Sequence, residues 1–319
     1  MTNDKDNRYD KQVIIVDDEP KVVPGQGEGE IPVITIEETP SGSSAGEQTA
    51  SKKPARRMLW FVGGVAISAL LCVATIFGWR YYRTYVNIGI PVSTTSEQNI
   101  AKLSATAKKV TPEVIMTSDS ILGVALNFYE LRGLKAEVTL QEPDTTDTSV
   151  YLYSRSADYG KNGAYIGSIV MNGKEMQQDC SRLGYCAMAN DNIVIGIARD
   201  EDVKDYVTEQ GGSFFRQFIL VSNGVLPSKF HLHGKVERRG LGRIGEKLYY
   251  IETRHAETMW DFADALREYG FIDAIYITGG ADYSFYRTAD GTRHDIGDSA
   301  NYPHKEHKGI VPWLVFKKI

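Results

Sequence analysis

Cysteine is scarce in this chain: three occur in 319 residues, at positions 72, 180 and 186. A disulfide-built scaffold is thereby excluded, because at most one pair remains outside the long apolar run that holds Cys72. A basic excess is missing too. The formal net charge is −5 and the pI about 5.8, which argues against a nucleic-acid partner, since such binders carry a basic face. Tyr9 is the only aromatic residue before position 60, and charge is absent altogether from Met58 to Trp79. No cofactor motif is present, so no cofactor is expected. These absences divide the chain into unlike parts.

The first part is polar. Residues 1–50 carry eleven Asp and Glu against Lys5, Arg8, Lys11 and Lys21, a net −7, among many Gly, Ser, Thr and Pro. Such a segment buries too little apolar area to offset roughly 1–2 kcal/mol of backbone entropy per residue. It is expected to be a disordered acidic tail over 1–57. Within it QVIIVDDEP, at 12–20, is similar to the first strand of a response-regulator receiver, but no receiver domain follows. Val13-Ile14-Ile15-Val16 before Asp17-Asp18-Glu19 is echoed by Val33-Ile34-Thr35-Ile36 before Glu37-Glu38. Two readings stand: strand-adding elements for a cytoplasmic protein partner, or a chance echo in a biased tail.

The uncharged run of twenty-two residues from Met58 to Trp79 makes about 33 Å of helix, against a hydrocarbon core of about 30 Å. Trp60 and Trp79, with Tyr81 and Tyr82, stand at its two ends like an aromatic belt. Lys52, Lys53, Arg56 and Arg57 precede it, and only Arg80 and Arg83 follow. That bias places the amino end in the cytoplasm. A transmembrane helix over 58–79 is expected, anchoring the chain in a bacterial inner membrane with its carboxyl part in the periplasm or outside. A cleavable signal would lie nearer the start and exit through small residues.

Residues 80–118 are polar and aperiodic and read as a stalk, with a short helix near Asn99 to Lys109. From 119 to 319 strand-like runs dominate, namely GVALNFYEL, KAEVTL, SVYLYS, AYIGSIVM and NIVIGIA. Two helices stand out. Asp200 to Glu209 ends at Gly211-Gly212. Thr258 to Tyr269 has a capping pair in Thr258 and Asp261, an apolar face through Met259, Phe262, Ala263 and Leu266, and Gly270 at its stop. KLYYIET before it and DAIYITGG after it suggest a strand–helix–strand crossover. The expected fold class is α+β: one mixed-sheet domain with two main helices. Cys180 and Cys186, with five residues between them, read either as a small disulfide loop or as two buried thiols.

Several pieces now line up. Asp202 to Glu209 leads through Gly211-Gly212-Ser213-Phe214-Phe215 to Leu220-Val221-Ser222-Asn223-Gly224; then follow Arg238-Arg239-Gly240-Leu241-Gly242 and Asp273 to Gly280. In this order they resemble the phosphodiester glycosidase family, whose animal member uncovers mannose 6-phosphate by removing N-acetylglucosamine. The resemblance covers roughly 120–319 and implies a carbohydrate or sugar-phosphate ligand. It implies Arg238 as the phosphate grip, with Gly211, Gly212, Gly279 and Gly280 letting backbone amides approach the ligand. Two departures stand out. Thr278 replaces the aspartate before the paired glycines, and Ser156 stands where an asparagine is typical.

A threonine hydroxyl cannot do the acid–base work of a carboxylate unaided. Asp282 and Asp158 are therefore the candidate catalytic carboxylates, beside Thr278 at the altered position. The expected function is hydrolysis of a sugar-1-phosphate diester. The alternative is an inactive descendant of the fold that binds an envelope glycan or a protein. His294, His304 and His307 with Asp295 and Asp298 fit no metal-ligand spacing, and Lys305 and Lys308 oppose a cation, so no metal is expected.

Overall fold

In the computed structural model the described residues are 55–81, 90–156, 164–179, 181–228, 230, 232, 234–280, 282–297 and 311–319, with side chains at 65–79 only for the first segment. Helix α1 (Ala55–Tyr81, 27 residues) belongs to one compact unit, and the chain from Ile90 onward to another. Among the described residues no helix is long and apolar enough to cross a membrane. The acidic tail expected over 1–57 lies outside the described residues except for its last three positions.

Part of the 80–118 stretch packs into the domain core. Ile90 is already buried, and helix α2 (Ser96–Ser104) buries Asn99 and Leu103. Thr95 starts this helix with a full capping box: its hydroxyl accepts from the Gln98 amide, and the Gln98 side chain accepts from the Thr95 amide.

Six strands form the first sheet: β1 (Glu113–Ile121), β2 (Val124–Arg132), β10 (Ile219–Val221), β11 (Arg238–Ile244), β12 (Lys247–Thr253) and β13 (Asp273–Gly279). Their order is β1-β2-β12-β11-β13-β10, and every pairing is antiparallel. Helix α4 (Met259–Tyr269) lies between β12 and β13 in sequence. Since β11 pairs antiparallel with both, β12 and β13 run parallel with β11 between them. The expected crossover is present, in split form. Thr258 caps the helix through the Asp261 amide, and Gly270 ends it at φ 105°, a left-handed conformation that favours glycine.

The second sheet, in the order β15-β14-β4-β16-β3, uses β3 (Leu134–Thr139), β4 (Val150–Arg155), β14 (Ser284–Arg287), β15 (Arg293–Ile296) and β16 (Trp313–Lys318). The third, β6-β5-β9-β7-β8, uses β5 (Ile169–Met171), β6 (Lys174–Gln177), β7 (Gly184–Ala189), β8 (Asn192–Ile197) and β9 (Ser213–Gln217). Helix α3 (Asp202–Glu209) and α2 cover the third sheet through Val203, Val207 and Leu103. A central core joins all three sheets, with Tyr129, Leu241, Tyr250 and Ile275 from the first, Leu152, Leu314 and Phe316 from the second, and Ile169 and Phe215 from the third.

Strand β7 reads GYCAMA and is buried at every position, so no polar alternation marks it in the sequence. Cys186 within it is a free thiol whose burial pushes its pKa up. The small disulfide loop gives way to a buried thiol at 186; Cys180 lies outside the described residues. The run AYIGSIVM is strand only at its end, Ile169–Met171.

Candidate functional site

The polar centre starts from β-sheet register. Arg239 on β11 faces Glu252 on β12, Glu252 faces Asn127 on β2, and on the other side Arg239 faces Thr278 on β13. A bulge makes the last pairing. Gly240 faces Tyr276 and Arg239 faces Thr278, leaving Ile277 as the extra residue. Four polar residues thus sit side by side across four adjacent strands.

Hydrogen bonds fix this row. Tyr129 donates its hydroxyl to Glu252 Oε1 at 2.8 Å, and Asn127 Nδ2 donates to the same oxygen at 3.1 Å. Arg239 Nε stands 3.9 Å from Glu252 Oε2, its Nη2 is 3.5 Å from Glu237 Oε2, and its Nη1 donates to the Gly280 carbonyl at 2.6 Å. Tyr250 spans to the second sheet, 3.3 Å from Ser154 Oγ. Burial lowers the Arg239 pKa, but Tyr250, Asp282, Glu252 and Glu237 around it outweigh that and hold the guanidinium charged. Burial, and then the Glu252 charge, push the Tyr129 hydroxyl far up, so it stays a donor.

The second sheet supplies the opposing half. Arg155, the last residue of β4, places Nε 3.2 Å from Asp282 Oδ1, which also accepts from the Tyr283 amide at 3.0 Å. The Asp282 side chain is 2% exposed. Its other oxygen, Oδ2, is buried and has no hydrogen-bond partner among the described residues. Tyr153, also on β4, has a buried hydroxyl in the same condition. A buried carboxylate oxygen left unpaired costs about 1–3 kcal/mol or more. Two arginines, two buried carboxylates and one unpaired carboxylate oxygen therefore lie near one another; the Tyr153 ring packs instead with Phe285, Val311, Trp313 and Val315.

No family model matches the chain, and no curated protein matches it. Among solved structures, the chain is similar to the catalytic domain of zebrafish N-acetylglucosamine-1-phosphodiester alpha-N-acetylglucosaminidase, auto-inhibited by its pro-peptide. The similarity covers 68% of this chain and 86% of that one, at 13% identity and a TM-score of 0.47. A hypothetical protein from Synechocystis is similar over 64% of this chain and 62% of its own, at 7% identity and a TM-score of 0.45.

The expected site residues are only partly brought together. Thr278 stands in register with Arg239, and Asp282 pairs with Arg155 and acts on the Arg239 charge. Arg238 stays apart. It is 1% exposed and turns to the opposite face of β11, where Nε donates to the Glu257 carbonyl at 3.0 Å and Nη2 to the Gly234 carbonyl at 2.5 Å. Its guanidinium lies 5.7 Å from the Tyr276 ring centre. The arginines of the polar centre are Arg239 and Arg155, and Arg238 braces backbone.

The Gly280 amide donates to the Glu237 carbonyl at 3.0 Å, and its φ of 85° turns its own carbonyl onto Arg239. A side chain at Gly279 would meet the Tyr276 hydroxyl at 2.6 Å. Gly211 and Gly212 close the end of α3, donating to Thr208 and Val207, and Gly212 packs against the Met188 carbonyl. These four residues shape turns and close contacts, and the amides of Gly211, Gly212 and Gly280 are already bonded. Asp158, His304, His307 and Asp298 lie outside the described residues. Among the described residues no group of three His, Cys, Asp or Glu is placed to hold a metal ion, and Asp295 pairs with Arg293 at 3.0 Å.

Sequence reasoning missed Arg155, Arg239, Glu252 and Tyr129. The available signal was the alternation in KLYYIET: Tyr250 and Glu252 lie two apart on one strand and so share a face. Glu252 on a buried strand needs a positive partner, and Arg239 is the arginine in register with it.

Proposed function

We propose that this chain is a membrane-anchored protein of the cell envelope whose outer domain binds and hydrolyses a sugar-1-phosphate diester. The observation that carries the reading is the buried Arg155–Asp282–Arg239 centre with one carboxylate oxygen left open. A pair of guanidinium groups suits the two free oxygens of a phosphodiester. Asp282 Oδ2 is the one group of the centre able to take or give a proton at the glycosidic oxygen or at an attacking water. Glu252 is not, because Tyr129, Asn127 and Arg239 already occupy it. Its role is to hold Arg239.

The test is turnover of a panel of sugar-1-phosphate diesters by the full chain in detergent, beside Asp282→Asn. Turnover that falls at least about 100-fold in the variant supports the reading, that being the scale of a general acid–base contribution. Equal turnover removes Asp282 from the mechanism.

The anchor is proposed on the composition of α1. Val65, Ile67, Leu70, Leu71, Val73, Ile76, Phe77 and Trp79 are all exposed, and at about 100° per residue they are spread around the whole helix. Four basic residues before the run against two after it support a cytoplasmic tail. Membrane fractions washed with alkaline carbonate should retain the full chain and release one lacking 58–79. A tail partner bound through Ile14 and Ile34 should be lost on Ile14→Asp with Ile34→Asp; unchanged recovery removes it.

A second reading has its own observation. Thr278 stands opposite Arg239, at the position where the resemblance implies an aspartate. A domain that binds sugar phosphates without turning over any diester would be the non-catalytic binder.

A further inference from the structure

The chain enters its domain at one corner. Ile90 is buried in the central core, and the Pro91 carbonyl accepts from Ser222 Oγ at 2.9 Å. Ser222 opens a tight turn: its amide donates to the Val225 carbonyl at 2.9 Å, and its carbonyl accepts from the Val225 amide at 2.9 Å. Gly224, inside that turn, donates to the Ile272 carbonyl at 2.9 Å. The point of entry therefore lies beside two aliphatic residues that the fold leaves open, Val225 at 41% exposed and Ile272 at 42%. Just behind them Val221 and Phe271 are buried against α4. A lone exposed aliphatic residue is ordinary. Two brought together from distant segments, where the chain comes in, ask for a cause.

Eight residues, 82–89, join α1 to Ile90, and fully extended they reach about 30 Å. A domain of this length has a radius of gyration of about 17 Å, and so is about 45 Å across. The tether is shorter than the domain is wide, which keeps the entry corner toward the surface that holds the anchor. The charges around the corner cancel, Lys102 and Arg243 standing with Asp273 and Glu246. We infer that Val225 and Ile272 dip into the headgroup region of the bilayer, so that the domain rests on lipid through this corner, by apolar contact. Two aliphatic side chains bind lipid only marginally between free molecules, but the anchor makes the contact intramolecular. The inference rests on the proposed anchor and goes beyond it by naming the surface of the domain that meets the membrane.

The test uses the full chain in phosphatidylcholine nanodiscs, carrying Cys72→Ala and Cys180→Ala; Cys186 is buried. Val225→Cys, Ile272→Cys and Leu122→Cys are each given a fluorescent label. Leu122, 62% exposed, lies in the turn between β1 and β2, at the opposite edge of the six-stranded sheet from β10. Lipids with a nitroxide at the headgroup should quench the labels at 225 and 272 several-fold more than the label at 122, at low and high salt alike. Adding Ile272→Asp to the chain labelled at 225 should lower its quenching to the level seen at 122. The unfolding midpoint should not fall, because residue 272 is open to solvent. Equal quenching at 225 and 122, in a chain that stays in the nanodisc, overturns the inference and leaves the anchor standing. A full chain that does not enter nanodiscs overturns both. Quenching at 225 that disappears in high salt overturns the apolar contact in favour of a charged one.

Discussion

The two faces of the six-stranded sheet treat charge in opposite ways. Under α4 the face is apolar, with Phe128, Ile251, Phe262, Leu266 and Ala274 buried together. Buried there, Arg238 is tied to the carbonyls of Gly234 and Glu257. On the inner face Arg239 meets acidic side chains, and these lead to Asp282 with an oxygen left open. Neighbouring arginines on one strand thus serve different ends. An arginine bonded to main-chain carbonyls ties a loop to a strand; an arginine among carboxylates remains able to exchange a partner for an anion.

Breaking the inner face should cost most. Arg239→Met leaves Glu252 buried without its cation, and an expected loss of about 3–5 kcal/mol of stability should accompany loss of glucose 1-phosphate binding; denaturant unfolding and calorimetry measure the two. On the other face, Phe262→Ala should cost about 3–5 kcal/mol as a cavity, yet the fraction that stays folded should bind glucose 1-phosphate with unchanged affinity. A parallel loss of affinity there would erase the distinction between the faces. Arg238→Met sharpens it. Two carbonyls lose their donor, for about 2–3 kcal/mol, and affinity should hold within about twofold. Thr258→Ala removes only the α4 cap and should cost about 1 kcal/mol, with no effect on binding.

Much of the α4 face was legible in the sequence because its signals are local. Thr258, the spacing of Phe262, Ala263 and Leu266, and Gly270 mark the helix ends and its buried side without reference to the rest of the chain. The inner face was legible only in part. Asp282 and Thr278 could be singled out, but the choice between Arg238 and Arg239 depends on which face of β11 meets the second sheet. Strand alternation has two phases, and nothing local selects one. The bulge at Ile277 adds a second obstacle, because it shifts Thr278 into register with Arg239 from a position that simple alternation would not give. Arg155 belongs to the centre through a partner 127 residues away, and pairings at that separation leave no pattern in either segment. Strand β7 was missed for another reason: burial on both faces erases the period of two.

The most direct test of the account is a crystal of the protein grown with glucose 1-phosphate. The account predicts the phosphate within hydrogen-bond distance of Arg155 and Arg239, with the glycosidic oxygen at Asp282 Oδ2. Phosphate seated on Arg238, or a ligand bound away from the junction of the first and second sheets, would contradict it.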